Sequence, residues 1–489
     1  REVVRKFRDA GIPLDAVCLD IDYMQDYEDF TVDETKFPDM KQLAEDLKAE
    51  GVHLVPIIDA GVKVQKGYSV YEEGTEHNYF CAKKDGSAYT AGVWPGRSHF
   101  PDFLNPDVRS WFGAKYGNLT SLGIEGFWND MNEPAMFYSE ESLAETFRKI
   151  KTFEGKNLDI NSFFEFTSLA GSTFNRPDDY ERFYDRAQMK DGSTALLRHD
   201  YVHNIYGAHM TRAAGEGLRK LSPDKRMLLY SRASCIGAHR YGGIWTGDNT
   251  SWWGHLKQEV QMMSALNMCG FLYCGADIGG FGADTSRDLV LRWTEFGVFT
   301  PLMRNHSAWN TRRQEFYQYD HIEDFRSVMN LRYALIPFIY SEFVKSALTG
   351  SMYFRPLSFD YQSDERARRV EDELLLGESL LIAPVYEQNA VGRYVYLPED
   401  MIQVTWADGK AVQQNVVRGD HYVNVPLNAV VFFVKHGRLV PLCAPALSSD
   451  KLDTTNFTFL GDGESYDLYE DDGYTRDVKL GGNIRKLTK

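Results

Sequence analysis

Two apolar runs, Ala16-Val17-Cys18-Leu19-Asp20-Ile21 and Val52-His53-Leu54-Val55-Pro56-Ile57-Ile58, decide the fold class. Both are nearly continuous in apolar residues, which is typical of strands that are buried on both faces of a sheet. Between them, Pro38 and Asp39 begin a helix and Gly51 ends it. The apolar side chains of that helix recur on one side, at Met40, Leu43 and Leu47. The stretch therefore predicts a βαβ unit, which implies parallel strands.

The same alternation recurs along the chain about six or seven times. Helices are predicted after Asn105-Pro106, from about Asn204, and over residues 256–268 and 289–296. The strands that follow them are predicted at 124–128, 227–231, 270–274 and 298–303. Such alternation is typical of a parallel sheet, which is either doubly wound or closed into an eight-stranded barrel.

Polar residues directly after the strands favour the barrel. They are Asp20, Asp22, Asp59, Asp130, Arg232, Asp248, Asp277 and His306. A doubly wound sheet places its site at one switch point, whereas a barrel builds its site from the carboxyl ends of all its strands. No GxGxxG motif follows the first strand. We therefore expect an α/β protein with a (β/α)8 barrel, in which Asp59 either lines the pocket or caps a turn.

The pattern changes near residue 355, where short strand-like runs replace the alternation. These runs lie at 380–383, 394–397, 404–406, 422–425 and 429–434. The sequence predicts a catalytic barrel over 1–354, a proximal β domain over 355–439 and a distal β segment over 440–489. Within the barrel, the long connections at 60–122 and 134–225 are expected to carry the site or its lid.

Composition excludes several classes of function. The 489 residues include 54 Lys and Arg against 70 Asp and Glu, and the net charge of −16 disfavours nucleic acid and anionic membrane surfaces as partners. No apolar stretch approaches the length of a membrane helix. The six cysteines form no CxxC pair, so neither zinc nor a disulfide framework is expected, and we expect a cytoplasmic location.

Two aspartates lie beside tryptophans at predicted strand ends. The first is Asp130 in Gly126-Phe127-Trp128-Asn129-Asp130-Met131-Asn132-Glu133-Pro134, and the second is Asp248 in Gly242-Gly243-Ile244-Trp245-Thr246-Gly247-Asp248-Asn249. A pair of carboxyl groups can cleave a glycosidic bond when one attacks the anomeric carbon and the other protonates the leaving group. Asp130 could instead cap the following helix.

The motifs of this sequence resemble those of glycoside hydrolase family 31, the α-glucosidase family that includes the intestinal sucrase and maltase units. The strongest match is the segment Trp128-Asn129-Asp130-Met131-Asn132-Glu133, which resembles the nucleophile motif of that family. Six further segments match in order: Asp20 to Met24, Trp94 to Phe103, Ser231-Arg232, Trp245 to Asn249, Gly275 to Phe281 and Arg304 to His306.

The resemblance implies a role for each matching residue. Asp130 would be the nucleophile that forms a covalent glucosyl-enzyme, and Asp248 would be the general acid and then base. The residues expected to bind the sugar are Asp20, Ile21, Ile57, Trp94, Trp128, Met131, Arg232, Trp245, Asp277, Phe281 and His306. The activity would be that of a retaining, exo-acting α-glucosidase on small oligosaccharides of the maltose or isomaltose type, without metal or other cofactor.

Alternatives remain open at this point. Another family 31 activity, such as α-xylosidase or transglucosidase, is one alternative, although Met131-Asn132-Glu133 after Asp130 favours glucose. An Asp20–Asp22–Asp277 cluster could bind Mg²⁺ for phosphoryl transfer, although no phosphate-binding loop accompanies it. A third alternative is an inactive carbohydrate-binding protein. Family members usually carry a β-sandwich and a first barrel strand ahead of the first segment seen here. We therefore expect a separate N-terminal fragment of the same enzyme to complete the barrel.

Overall fold

The computed structural model describes residues 1–476 and 478–489, apart from the side chain of Ala170. The chain forms two compact units. The first unit comprises Cys18–Asp46 and Leu54–Gly242. The second unit comprises Arg1–Val17, Leu47–His53 and Gly243–Lys489.

The helices are numbered along the chain. They are α1 Glu2–Asp9, α2 Met40–Ala49, α3 Ser69–Glu76, α4 Pro106–Lys115, α5 Gly117–Thr120, α6 Glu140–Lys151, α7 Ile160–Gly171, α8 His203–Leu221, α9 Trp253–Met268, α10 Arg287–Gly297, α11 Ile322–Thr349 and α12 Leu357–Asp360. Short 3₁₀ turns lie at Ile21–Tyr23, Gln25–Tyr27, Pro177–Glu181, His199–Tyr201, Ala238–Arg240, Phe316–Gln318, Ala367–Arg369 and Ser449–Lys451.

The strands are numbered in the same way. Up to residue 231 they are β1 Ala16–Leu19, β2 His53–Asp59, β3 Val62–Lys63, β4 Ala91–Val93, β5 Gly96–His99, β6 Gly126–Asp130, β7 Tyr138–Ser139, β8 Tyr184–Gln188, β9 Thr194–Arg198 and β10 Leu228–Ser231. Beyond it they are β11 Gly243–Trp245, β12 Cys274–Gly275, β13 Asp277–Ile278, β14 Arg304–Asn305, β15 Phe354–Pro356, β16 Leu374–Leu376, β17 Leu380–Ile382, β18 Gly392–Leu397, β19 Met401–Ala407, β20 Lys410–Val416, β21 Gly419–Asn424, β22 Val430–Lys435, β23 Leu439–Ala444, β24 Asp453–Gly461, β25 Ser465–Tyr469 and β26 Ile484–Thr488.

Parallel strands form the centre of the first unit. Strand β6 pairs with β2 on one side and with β10 on the other, both in parallel. The register places Asp59 opposite Asp130 and Ser231 opposite Asn129. The carboxyl ends of the three strands therefore meet at one edge, as expected for the site of a parallel α/β fold.

Helices of the first unit pack closely through glycine. Asn105 caps α4 by accepting a hydrogen bond from the backbone N–H of Asp107, which confirms the predicted helix start. Where α4 meets α8, a Cβ added to Gly113 would lie 2.3 Å from the carbonyl oxygen of Ala213. A side chain at Gly113 would therefore push the two helices apart.

The long connections of the first unit contain structure of their own. The segment after β2 and the residues after β6 together form an antiparallel sheet in the order β3-β5-β4-β7. After β7 the chain forms α6, α7 and the hairpin β8–β9 before it enters α8. These elements lie along the chain on either side of Asp130.

The second unit contains further parallel pairs and an antiparallel region. Strand β11 pairs with β12, and β13 pairs with β14, in both cases in parallel. A six-stranded sheet follows in the order β15-β16-β17-β22-β19-β20, in which neighbouring strands pair in antiparallel. The predicted strands at 380–383, 394–397, 404–406, 422–425 and 429–434 correspond to β17, β18, β19, β21 and β22.

Three predicted strands are shifted in the structure. Strand β6 ends at Asp130, two residues later than predicted, so Asp130 is the last residue of the strand. The strands predicted at 270–274 and 298–303 are instead Cys274–Gly275 with Asp277–Ile278, and Arg304–Asn305. The prediction was wrong because apolar residues mark burial as well as strands. Val298 and Phe299 are buried in the turn that ends α10, where their N–H groups bond to Thr294 and Phe296.

The helix α11, with 28 residues, was not predicted from the sequence. Its apolar residues include Phe325, Leu331, Leu335 and Phe338, which are buried in the core of the second unit. No helix in the part of the chain that the structure describes has the length and apolar character needed to cross a membrane.

Candidate active site

Asp130 is held by two donors at the end of β6. Its Oδ1 accepts a hydrogen bond from the backbone N–H of Met131 at 2.7 Å and lies 2.8 Å from Nη1 of Arg232. Met131 has a φ of 53°, in the left-handed region that is uncommon for a residue other than glycine. The chain therefore turns sharply after the aspartate, and the turn directs the Met131 N–H at the carboxylate.

Arg232 links Asp130 to a second carboxylate. Its Nε and Nη2 donate to the two oxygens of Glu133 at 2.9 and 3.0 Å, and Nη2 also lies 3.3 Å from the sulfur of Met131. The paired contact to Glu133 is the bidentate geometry that guanidinium groups favour. The side chains of Asp130 and Arg232 are only 13% and 15% exposed, so water screens this ion pair weakly.

Buried hydrogen bonds hold the residues on either side of Asp130. The hydroxyl of Tyr116 donates to Oδ1 of Asn129 at 2.6 Å. Asn132 donates to the Ser231 hydroxyl at 2.8 Å and accepts from the N–H of Ala233 at 2.9 Å. Because these bonds join residues on both sides of Asp130 to neighbouring elements, the position of its carboxylate is fixed by the fold.

The end of β1 contributes Asp20 and Ile21. The Asp20 side chain is exposed and accepts a hydrogen bond from the N–H of Ile21 at 2.8 Å, which begins the 3₁₀ turn Ile21–Tyr23. The indole N–H of Trp128 donates to the carbonyl of Leu19 at 3.3 Å. That ring is 1% exposed in the structure.

Ile57 and Asp59 lie on β2 next to these groups. The carbonyl of Ile57 accepts a hydrogen bond from the hydroxyl of Tyr23 at 2.8 Å, and the side chain of Ile57 is buried. Asp59 is buried at the end of the strand, and its N–H donates to the buried carboxylate of Asp29 at 2.8 Å. Asp59 thus neither caps a turn nor lies in solvent.

Asp29 and Asp59 are two carboxyl groups in one buried place. Burial raises the pKa of Asp59 well above its ordinary value, and the nearby charges of Asp29, Asp130 and Asp20 raise it further. Burial likewise raises the pKa of Asp29, against the lowering effect of the N–H of Asp59. The Asp59 carboxyl therefore holds its proton more tightly than an ordinary aspartate does.

Trp94 lies in an exposed aromatic row of the first unit. Its ring meets Phe137 edge to face at 4.9 Å, and Phe137 stacks on Phe174 at 5.8 Å. Trp94 and Phe174 are 46% and 54% exposed. Such a row of partly exposed rings can contact the apolar faces of a sugar.

Asp248 follows β11 in the second unit. It is an exposed residue directly after Gly247, whose φ of 77° allows the chain to turn at this point. The preceding residue, Thr246, donates its hydroxyl to the buried carboxyl of Glu259 at 2.9 Å. Burial raises the pKa of Glu259 to about 8, so its carboxyl is largely neutral at pH 7.

A buried ion pair lies beside Trp245. The guanidinium of Arg304 donates to Oδ1 of Asp277 at 2.6 and 3.1 Å, and its carbon lies 5.0 Å from the centre of the Trp245 ring. The parallel register of β13 and β14 places Asp277 opposite Arg304. A buried carboxylate of this kind needs such a partner to remain ionised.

Phe281 and His306 form the remaining predicted contact surface. Their rings lie 5.2 Å apart at an angle of 31°. Burial, with the positive charge of Arg304 added, lowers the pKa of His306 well below its ordinary value. His306 is therefore neutral at pH 7, and a neutral imidazole carries one ring N–H.

The predicted site residues thus fall into two groups. The first unit joins Asp130, Met131 and Arg232 directly and brings Trp128 opposite Ile57 in the sheet. Within the second unit, Arg304 connects Trp245 with Asp277, and Phe281 contacts His306.

Family models match both parts of the chain. The TIM-barrel domain of glycosyl hydrolases family 31 matches residues 1–342, and the C-terminal domain of glycosyl hydrolase family 31 matches residues 350–440. The chain belongs to glycosyl hydrolase family 31. The predicted barrel followed by a β-rich C-terminal region is thereby confirmed as the fold class.

Relatives of this family 31 chain include α-glucosidases of bacteria and animals. It is 36% identical to α-glucosidase 2 of Bacillus thermoamyloliquefaciens over 99% of the chain and 57% of that protein. Identity is 32% to neutral α-glucosidase AB of Mus musculus (90% of the chain, 42% of that protein) and 30% to intestinal sucrase-isomaltase of Homo sapiens (99% and 26%). The chain spans about half the length of the curated relatives it matches.

Solved structures show the same fold. The α subunit of glucosidase II, in a Glc1Man2-bound form, has a TM-score of 0.81 and 26% identity, covering 99% of this chain and 49% of that one. A Flavobacterium johnsoniae dextranase in complex with isomaltotriose has a TM-score of 0.80 and 26% identity, with 98% and 55% covered.

Several partners of the family 31 site were missed in the sequence. Glu133 was quoted only as part of a motif, although it takes two of the Arg232 donors. Asp29 and Glu259 were not considered, since each is far in sequence from the group that it contacts. The one available signal was that Glu259 interrupts the apolar side of a predicted helix, where an acid needs a hydrogen-bond partner.

Proposed function

We propose that this family 31 chain carries the catalytic residues of a retaining, exo-acting α-glucosidase. Asp130 serves as nucleophile and Asp248 as general acid and then base. The observation that carries the proposal is the ion pair of Asp130 with Arg232 at the end of β6, within the motif of a family whose relatives are named α-glucosidases. An ionised, doubly hydrogen-bonded carboxylate at a strand end is what a nucleophile needs.

The reaction proceeds in two displacements. A carboxylate oxygen of Asp130 attacks the anomeric carbon of the terminal glucose, the glycosidic C–O bond breaks, and the departing oxygen takes a proton from Asp248. Asp248 then removes a proton from water, which attacks the same carbon and releases Asp130. Two inversions leave the product in the α configuration. Retaining chemistry requires the two carboxyl groups to lie about 5 to 5.5 Å apart in the active enzyme.

The remaining residues bind one glucose unit. Asp20 and His306 take its hydroxyls, and Asp277 with Arg304 supplies a charged pair beside them. The apolar faces of Trp128, Trp245 and Phe281 contact the ring, as do Ile21, Ile57 and Met131. Trp94 belongs to the walls of the same glucose site, and its partly exposed ring, which contacts Phe137, supports this role. The substrate is a small oligosaccharide of the maltose or isomaltose type.

Two further expectations belong to the same proposal. A barrel domain ends near residue 354, which the start of the antiparallel sheet at Phe354 supports. The enzyme is cytoplasmic, which the six free cysteines support.

Product stereochemistry tests the proposal directly. Proton NMR during the first minutes of maltose and isomaltose hydrolysis should show α-glucose before it equilibrates with the β anomer. Accumulation of β-glucose first, or turnover of α-xylosides in preference to α-glucosides, would contradict the assignment.

Two substitutions test the assigned roles. Asp130→Ala should reduce kcat to below about 1% of the parent value, since a nucleophile contributes several powers of ten. Asp248→Asn should slow disaccharides far more than aryl glucosides with good leaving groups, because the latter need little protonation. Asp22→Asn serves as the control, since Asp22 is an exposed acid on the 3₁₀ turn after β1 and should leave both activities unchanged.

A further inference from the structure

A polar groove lies in the second unit, within its β-rich region. Its volume is about 560 Å³, and its walls come from α9, from the segment before β16 and from the strands β18 and β21. This volume falls in the range of about 300–1,000 Å³ that small-molecule sites occupy. None of the residues assigned to the glucosidase reaction lines it.

The groove contains a buried acid with spare bonding capacity. Glu373 is 3% exposed and lines the groove, and its Oε1 accepts a hydrogen bond from the N–H of Tyr396 at 2.8 Å. Its Oε2 has no hydrogen-bond partner among the described residues. Burial raises the pKa of Glu373 to about 8, so the group is largely protonated at pH 7 and can donate as well as accept. A buried polar atom without a partner is costly unless a ligand satisfies it.

The wall beside Glu373 is held rigidly. Arg393 donates to the carbonyl of Pro384 at 2.7 Å and forms an ion pair with Asp372 at 2.8 Å. Tyr386 donates its hydroxyl to the same Asp372, while Arg393 and Lys257 each lie 5.1 Å from the centre of its ring. Because these side chains already bond to one another, a ligand would find them in place and would not have to order them.

Two exposed tyrosines form the rim. Tyr394 and Tyr422 face each other across β18 and β21, with ring centres 5.3 Å apart, and they are 71% and 52% exposed. A cross-strand aromatic pair can stabilise a sheet through contact between its two rings. So much exposed ring surface is instead available to a ligand with apolar faces.

The charges on the wall identify the class of ligand. Four basic and four acidic side chains line the groove, and because Glu373 is largely protonated, its described lining carries a net charge of only about +1, a weak attraction for anions. Guanidinium and carboxyl groups close together can hydrogen-bond to hydroxyls that both donate and accept. Aromatic rings next to such groups suit the C–H faces of a sugar.

We propose that this groove is a second saccharide-binding site, which holds a segment of a neutral α-glucan apart from the glucose that is cleaved. The choice of a neutral polyhydroxylated ligand rests on the groove itself, whereas the choice of an α-glucan rests on the proposed function. Such a site would raise the local concentration of long substrates at the enzyme.

Binding is measured on the Asp130→Ala protein, which should not hydrolyse the probe. Isomaltotriose and maltotriose are titrated by calorimetry in the presence of a saturating glucose-shaped iminosugar, which occupies the glucosidase site. We expect one remaining binding event. Tyr394→Ala and Tyr422→Ala should each weaken it about tenfold or more, since a lost aromatic contact is worth roughly one power of ten. Tyr201→Ala, which removes an exposed tyrosine outside the groove, should leave it unchanged.

A further variant and a kinetic assay also test the proposal. Lys257→Ala changes an exposed side chain on α9 and replaces the tyrosine variants if either of them melts below the parent. Absence of the second event, a change of less than twofold in all groove variants, or binding of inorganic phosphate in place of the saccharide would overturn the proposal. On catalytically intact enzyme, the groove variants should keep the parent rate on an aryl glucoside and raise KM for long glucans only. Failure of the wild type to cleave the aryl glucoside would refute the proposed function, while the calorimetric result would still decide the groove.

Discussion

Replacement of Arg232 by methionine tests whether the ion pair at the end of β6 prepares Asp130 for attack. In the folded chain Arg232 lies 2.8 Å from Asp130 and donates twice to Glu133, at 2.9 and 3.0 Å. Methionine keeps much of the apolar stem of arginine and removes all of these donors. Oδ1 of Asp130 would then retain only the N–H of Met131 from the two donors described above.

The size of the effect follows from the bonds lost. A hydrogen bond to a charged group contributes about 1.5–3 kcal/mol, so loss of the Asp130 contact alone corresponds to roughly 10- to 150-fold in rate if it is fully formed in the transition state. The group is 13% exposed, which leaves little discount for solvent. A displacement of the carboxylate by about 1 Å would cost about 100-fold as well. We expect kcat to fall about 100-fold and KM to change little.

The assay compares three variants at Arg232 and Glu133 with one control variant. Initial rates on an aryl α-glucoside should fall in the order wild type, Glu133→Gln, Arg232→Lys, Arg232→Met, because lysine cannot bridge two carboxylates. Arg240→Met removes an exposed arginine of the same unit, which donates to the Gly237 carbonyl, and should be neutral. An Arg232→Met rate within threefold of wild type, in a variant that melts normally, would refute the role of this contact.

Three further predictions concern charge and metal. Asp59→Asn should make the free energy of unfolding in urea less dependent on pH. Because the folded pKa of Asp59 is raised, its proton stabilises the wild-type protein fully below about pH 4, and this contribution falls by up to about 1.4 kcal/mol per pH unit as the pH rises. The amide of the variant does not titrate and avoids this loss. Equal slopes for both proteins would contradict the burial of a proton. Asp277→Ala should destabilise by about 3–5 kcal/mol in urea unfolding, since it removes the carboxylate to which the buried Arg304 donates twice, whereas Asp277→Asn should cost less. Activity should survive EDTA, and loss of activity that Mg²⁺ restores would revive the phosphoryl-transfer alternative.

The elements that the sequence predicts well are those with a local cause. Asn105 accepts from the backbone two residues later, so the start of α4 is encoded in Asn105 and Pro106 alone. The run Val52 to Ile58 forms a strand because it is almost entirely apolar, and its bounds differ from the structure by one residue. The strand ends are predicted less well, since the polar residues Asp59 and Asp130 stay in the sheet as the last residues of β2 and β6.

The predictions fail where burial is achieved by other means. Val298 and Phe299 are as buried as strand residues, but they lie in the turn that ends α10. The helix α11 was overlooked because it is buried on several sides, with Phe325, Leu331 and Phe338 in the core, so that it lacks a single apolar stripe. Apolar content shows that a segment is inside the protein without showing its conformation.

The charge state of a site depends on partners that no local pattern encodes. Asp59 is 30 residues from Asp29, and burial together with the charge of Asp29 raises the pKa of the Asp59 carboxyl. Arg232 is 99 residues from Glu133, and its guanidinium group bridges Glu133 and Asp130. A motif therefore predicts which carboxyl group takes part, while strand register and turns decide whether it is ionised. Replacing Asp130 would test the motif, whereas replacing Arg232 tests the fold, and only the second experiment can show that the fold prepares the carboxylate.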